Sequence, residues 1–111
     1  MTMANMKNYR DHTGSRQDKH FKDTLFQGEH LMVGINCLEA GQEQPLHQHE
    51  AADKVYIVME GIGRFTVGNE TRDATEGDVI WAPAGSPHGV KNPVRDRLVL
   101  LVGIAPPPGS K

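Results

Sequence analysis

The stretch Gly77-Asp78-Val79-Ile80-Trp81-Ala82-Pro83-Ala84-Gly85-Ser86-Pro87-His88, continued by Gly89-Val90-Lys91-Asn92, decides how this chain is read. A short β-branched and aromatic run, Asp78 to Trp81, leads into a bend rich in proline and glycine, and the bend delivers one histidine. Pro83 and Gly85 shape that bend, and Pro87 fixes the backbone beside His88. Thirty-nine positions upstream of His88 stands His49, the end of His47-Gln48-His49. In an extended strand, residues i and i+2 project to one face, so His47 and His49 present two imidazoles side by side. A third imidazole from a distant strand closes a cation site. Three neutral nitrogens at one focus suit a divalent first-row metal and leave a position for water or substrate.

Working outward, the chain from Phe21 onward reads as β. Runs such as 31 to 38, 55 to 59, 64 to 67, 78 to 81 and 98 to 102 are rich in β-branched and aromatic residues. Turn-forming clusters separate them, among them Ala40-Gly41-Gln42, Glu60-Gly61-Ile62-Gly63, Gly68-Asn69-Glu70 and Glu76-Gly77-Asp78. Many short strands without a helical stretch predict an all-β sandwich or barrel. Residues 1–20 show neither period and are read as a polar arm or loosely docked first strand, residues 21–105 as the barrel, and residues 106–111 as a proline-rich tail. The segments 31 to 38 and 98 to 105 are almost continuously apolar, which requires both of their faces to be covered. With one face toward the barrel, the other is expected against a second sheet or a second subunit, hence a homodimer.

At 111 residues the chain has room for one core. Its 37% hydrophobic content and mean hydropathy of -0.52 are those of an ordinary soluble domain. The longest apolar run, Leu98 to Ala105, is too short to cross a bilayer, and the first residues carry no apolar signal-peptide core. A cytoplasmic chain beginning at Met1 and not bound to a membrane is therefore expected. The single cysteine, Cys37, excludes an internal disulfide and a multi-thiolate zinc site, and reads as a small buried apolar residue. Twelve basic against 14 acidic residues leave a net charge of -2, with no broad footprint for nucleic acid. Five bases lie in the first 22 positions, and from Asp23 to Gly61 there are seven acids and one base, Lys54.

These residues resemble the cupin superfamily, whose jelly-roll β-barrel, or double-stranded β-helix, carries two motifs. The second, G-x5-P-x-G-x2-H-x3-N, is met at every fixed position by Gly77, Pro83, Gly85, His88 and Asn92. The first, G-x5-H-x-H followed by a glutamate and a glycine, is met by Gly41, His47, His49 and Gly61, but Lys54 stands where the glutamate is expected. The resemblance covers about residues 30 to 105 and implies a single-domain barrel holding one divalent transition metal ion on His47, His49 and His88. Imidazole accepts Fe, Ni, Zn, Mn or Cu alike, so the metal is not named.

Lys54 is the departure that matters. By strand parity Lys54, Tyr56 and Val58 share one face, the barrel interior in cupins, and an ammonium beside a dication is repulsive. Four arrangements are open. The lysine loses its proton and serves as a base or Schiff-base nucleophile, or it turns away to pair with Asp53, Glu50 or Glu60. Otherwise it holds the anionic group of a metal-bound substrate, or the site is empty and the barrel a degenerate cupin. Glu43 shares the parity of His47 and is a conceivable displaced ligand, while Asp53 points the other way. Tyr56 reads first as packed aromatic, with a hydroxyl facing the cavity that is available for proton transfer. Trp81 reads as wall or core. His12, His20 and His30 have no partner at ligand spacing and are expected to be solvated.

The implied function is a small metal-dependent enzyme of isomerase or lyase type. The metal would act as a Lewis acid on a small anionic or carbonyl substrate, with Lys54 and Tyr56 as the catalytic candidates. A three-histidine shell also resembles that of non-haem iron dioxygenases, which gives the alternative enzyme. A third reading is a sensor barrel that binds a small-molecule ligand without turnover.

Overall fold

The computed structural model describes residues 5–48 and 51–109, so His49 and Glu50 lie outside the described residues, as do the chain ends of the arm and tail. Among the described residues, nine strands follow one short 3-10 helix, Tyr9–His12: β1 Phe21–Gln27, β2 Met32–Leu38, β3 Glu43–His47, β4 Asp53–Glu60, β5 Ile62–Val67, β6 Glu70–Thr75, β7 Val79–Ala82, β8 His88–Lys91 and β9 Leu98–Ala105. All pairings are antiparallel. Five strands form one sheet in the order β1-β2-β9-β4-β7, and four form a second in the order β3-β8-β5-β6. The two sheets make the double-stranded β-helix that the motifs imply.

Between the sheets lies the main core, in which Leu38, Val58, Leu98, Leu100 and Val102 of the larger sheet meet Phe65 and Val90 of the smaller one. Parity along β4 holds as the alternation predicts. Lys54, Tyr56 and Val58 are all buried on the inner face, opposite Ile104, Val102 and Leu100 of β9.

The outer face of β2 and β9 is also covered, which accounts for their apolar continuity. Ile35, Cys37 and Val99 form a second buried cluster with Leu25, and Tyr9 and Phe21 pack on it. Cys37 is thus a buried apolar residue of β2. The cover comes from the N-terminal arm, which is fastened at several points. Tyr9 Oη donates to Glu60 at 3.0 Å and Lys7 Nζ to the Leu25 carbonyl at 2.8 Å. Gln42 Nε2 donates to the carbonyls of Arg16 and Lys19 at 2.6 and 3.1 Å. His12 Nδ1 is 2.9 Å from Asp23 Oδ2. Over this part of the sheet the arm occupies the place where the sequence suggested a second sheet or subunit.

Two local devices set the site. Ser86 N donates to the Pro83 carbonyl at 3.1 Å, closing a turn in which Gly85 takes φ +85°, a conformation L side chains avoid. That turn delivers His88 to the start of β8. Opposite it, β3 carries a bulge: Gln44 pairs with Val90 and His47 with His88, so two residues, Pro45 and Leu46, stand against one, Gly89. The bulge runs so close to β8 that a Cβ on Gly89 would meet the Gln44 carbonyl oxygen at 2.8 Å and the Leu46 nitrogen at 3.1 Å.

Among the described residues no helix is long and apolar enough to cross a membrane.

Candidate functional site

His47, the last residue of β3, and His88, the first of β8, are cross-strand neighbours. Their ring centroids are 4.4 Å apart with planes at 60°. His47 Nδ1 lies 2.9 Å from the Pro45 carbonyl and His88 Nδ1 3.0 Å from the Ser86 carbonyl. A carbonyl only accepts, so each Nδ1 carries a proton, and in the neutral imidazole the lone pair then lies on Nε2. This is the tautomer that an imidazole needs to ligate through Nε2, with its other nitrogen anchored by the backbone. His49, the third expected ligand, lies outside the described residues, and β3 ends at His47. Among the described residues no group of three metal-ligating side chains occurs. The two imidazoles that are described fit a metal in donor type, tautomer and proximity.

Beside this pair opens a cavity of about 570 Å³, bounded by β1 and β2 on one side and β3 on the other. Lys54 lines it and is only 6% exposed. Its Nζ sits 4.6 Å from the centroid of the Tyr56 ring. Burial, and then the charge of Lys22, pushes the ammonium pKa down to about 8. The pairing of Lys54 with Asp53 or Glu60 is not found. Asp53 Oδ1 accepts from Ala84 N at 2.8 Å, Glu60 accepts from Tyr9, and among the described residues no carboxylate comes within ion-pair distance of Lys54. Glu50 lies outside the described residues.

Tyr56 is fully buried, with its ring 5.2 Å from Phe65 and 6.3 Å from His88. Its hydroxyl points at Gln44 Oε1 at 3.4 Å, and burial raises the phenol far above its ordinary pKa, so it stays protonated across the physiological range. Tyr56 is therefore a packed ring with a hydrogen-bonding end. Its neighbour Gln44, 7% exposed, is not marked by strand parity, which puts Glu43 in phase with His47. The bulge shifts the phase by one, so Glu43 faces solvent and Gln44 faces the cavity.

Two further expectations change. Trp81 is 57% exposed, because β7 is the edge strand of its sheet and Trp81 points to the outer face beside Val55. Of the three histidines expected to be solvated, His30 is, but His12 contacts Asp23, and His20 lines the cavity with a buried Nε2 that has no hydrogen-bond partner. Burial, followed by the charges of Lys22, Lys19 and Lys54, lowers the His20 pKa and keeps its imidazole neutral.

The cupin domain model matches residues 34–104. The crystal structure of TT1209 from Thermus thermophilus superposes with a TM-score of 0.90 at 37% identity, over 93% of this chain and 98% of that one. An uncharacterized protein of Streptomyces coelicolor is 38% identical over 77 residues, 69% of this chain and 71% of that protein. A dimethylsulfoniopropionate lyase of Ruegeria pomeroyi is 28% identical over 78 residues, 69% of this chain but only 38% of the enzyme's length. Enzymes are thus among its relatives, and the two motifs, the jelly-roll topology and the family match together place this chain in the cupin family.

Proposed function

We propose that this cupin binds a small anionic or carbonyl ligand at a divalent transition metal held by His47, His49 and His88, and that it acts on that ligand as an isomerase or lyase. The observation that carries the reading is the His47/His88 pair with both Nδ1 protons committed to backbone carbonyls. A bound metal ion would supply Lewis-acid polarisation of a carbonyl or carboxylate oxygen.

The chain's own residues do the rest. Lys54, charged below about pH 8, faces the cavity without a carboxylate partner among the described residues and holds the ligand's anionic group. Gln44 lines the cavity and takes the Tyr56 hydroxyl proton on Oε1, which leaves its amide N–H to donate to a ligand oxygen. Met32, Val102 and Ile104 give the cavity an apolar wall that limits water and strengthens both interactions.

A panel of small hydroxy, keto and unsaturated acids, incubated with metal-loaded protein, tests the enzymatic part. Conversion of at least one member, falling by a hundredfold or more in His88→Ala, is expected. Saturable binding with no conversion across the panel would return the protein to the sensor reading, and oxygen uptake under iron(II) would move it to the dioxygenases.

Pairing of two chains belongs to the same proposal, now on a smaller surface. The outer face beyond the arm carries the half-buried Val33, Val55, Ile57 and Leu101 beside the exposed Val79 and Trp81. Sedimentation equilibrium giving the mass of one chain at micromolar concentration would remove it.

A further inference from the structure

The cavity holds more positive and unpaired polar groups than one anionic group needs. Lys22 on β1 and Asn36 on β2 are direct cross-strand partners, so their side chains project to the same, inward face. Both line the cavity that contains Lys54 and His47, and so does His20, which immediately precedes β1. Asn36 is buried, and the buried His20 Nε2 lacks a hydrogen-bond partner, an arrangement that costs free energy until a partner arrives. The one carboxylate among the described lining residues, Asp23, is engaged with His12 of the arm. The field in the cavity is accordingly positive at two places: deep, at Lys54, and at the rim, at the exposed Lys22. The two ammonium groups are near enough for Lys22 to disfavour the charge on Lys54. An anion bridging them removes that repulsion.

We propose that the ligand of this cavity carries two anionic groups, one held by Lys54 and the second by Lys22 at the rim, with Asn36 and His20 hydrogen-bonding the second group. The ligand class is a small dicarboxylate, or a carboxylate bearing a phosphate, long enough to reach from the barrel interior to its mouth. The inference rests on the reading of Lys54 as an anion holder and extends it to residues of β1 and β2 that neither motif includes.

Calorimetric titration of the full chain at about pH 6.5, below the value of about 8 to which Lys54 is pushed, tests it. The titrants are butyrate, the dicarboxylates from malonate to adipate, and phosphoglycolate. The best dianion is expected to bind about tenfold or more tightly than butyrate. Lys22→Met should erase that advantage while leaving butyrate affinity within about twofold, and Lys22→Arg should restore it. Phosphoglycolate exceeding every dicarboxylate would assign the second group as phosphate and keep the inference. Equal binding of mono- and dianions by the native protein, or an advantage that survives Lys22→Met, overturns the second subsite alone. Butyrate binding that is unchanged in Lys54→Met, or no binding of any titrant, overturns the Lys54 reading and this inference with it. Lys22 is exposed on an edge strand, so its substitution leaves the fold intact, which circular dichroism checks.

Discussion

Lys54→Met is expected to make the ligand-free protein more stable by about 2 kcal/mol near neutral pH, roughly 10 °C in Tm, while abolishing anion binding. Lys54 is 6% exposed, and its pKa falls from 10.5 to about 8 because burial disfavours the ammonium and Lys22 adds repulsion. A shift of that size corresponds to about 3 kcal/mol. The contact with the Tyr56 ring returns up to about 1 kcal/mol to the lysine. The sign follows from proton binding. The unfolded chain holds this proton more tightly, so the penalty is complete below about pH 8 and disappears as pH rises from there toward 10.5. Wild-type stability should therefore gain over that alkaline window, and the methionine variant should lack the gain. Denaturant melts at pH 7 and pH 10 measure both. A variant less stable than wild type at pH 7 would mean that the lysine is satisfied where it stands.

Asn92→Ala is expected to cost about 3–5 kcal/mol, enough to leave little folded protein. The motif asparagine is fully buried. Its work is structural. Nδ2 donates to the Leu38 carbonyl at 2.8 Å and to the Asp96 carbonyl at 2.9 Å, and Oδ1 accepts from Val94 N at 3.0 Å. Its backbone closes the ladder with Gly41 and Gln42. One side chain thus joins the end of β2 to the 92–97 loop that returns the chain to β9, and alanine strands three polar groups at once. A loss below about 1 kcal/mol by chemical denaturation would show that the loop repacks or that water replaces the amide.

Much of this molecule was legible in its sequence where the physics is local. The glycine and proline bend before His88, the shared face of Lys54 and Tyr56, and the two-sided burial of β2 and β9 follow from backbone geometry and period, and the cupin resemblance adds that the shared face is the interior. What escaped depends on distant chain. The bulge that exchanges Glu43 for Gln44 is set by the close approach of Gly89 across the sheet, and nothing within β3 announces it. β6 is almost wholly polar because it is an edge strand open to solvent, so no apolar alternation marks it. The arm has no period, yet Tyr9 and its hydrogen bonds place it on the outer sheet face, and the same docking brings His20 and Lys22 to the cavity. Trp81 misled because aromatic residues are more often inside, whereas its strand has a neighbour on one side only.

In the proposed function, His47, His49 and His88 hold a metal despite the lysine in the usual glutamate position. Metal content per chain of untagged protein, purified without chelator, tests it most directly when measured beside His88→Ala and Lys54→Glu. About one transition metal ion per chain is expected in the native protein, with loss of that ion in His88→Ala. A native protein that is empty while Lys54→Glu fills would contradict it, and would mean that Lys54 has turned a cupin metal centre into a site for anions alone.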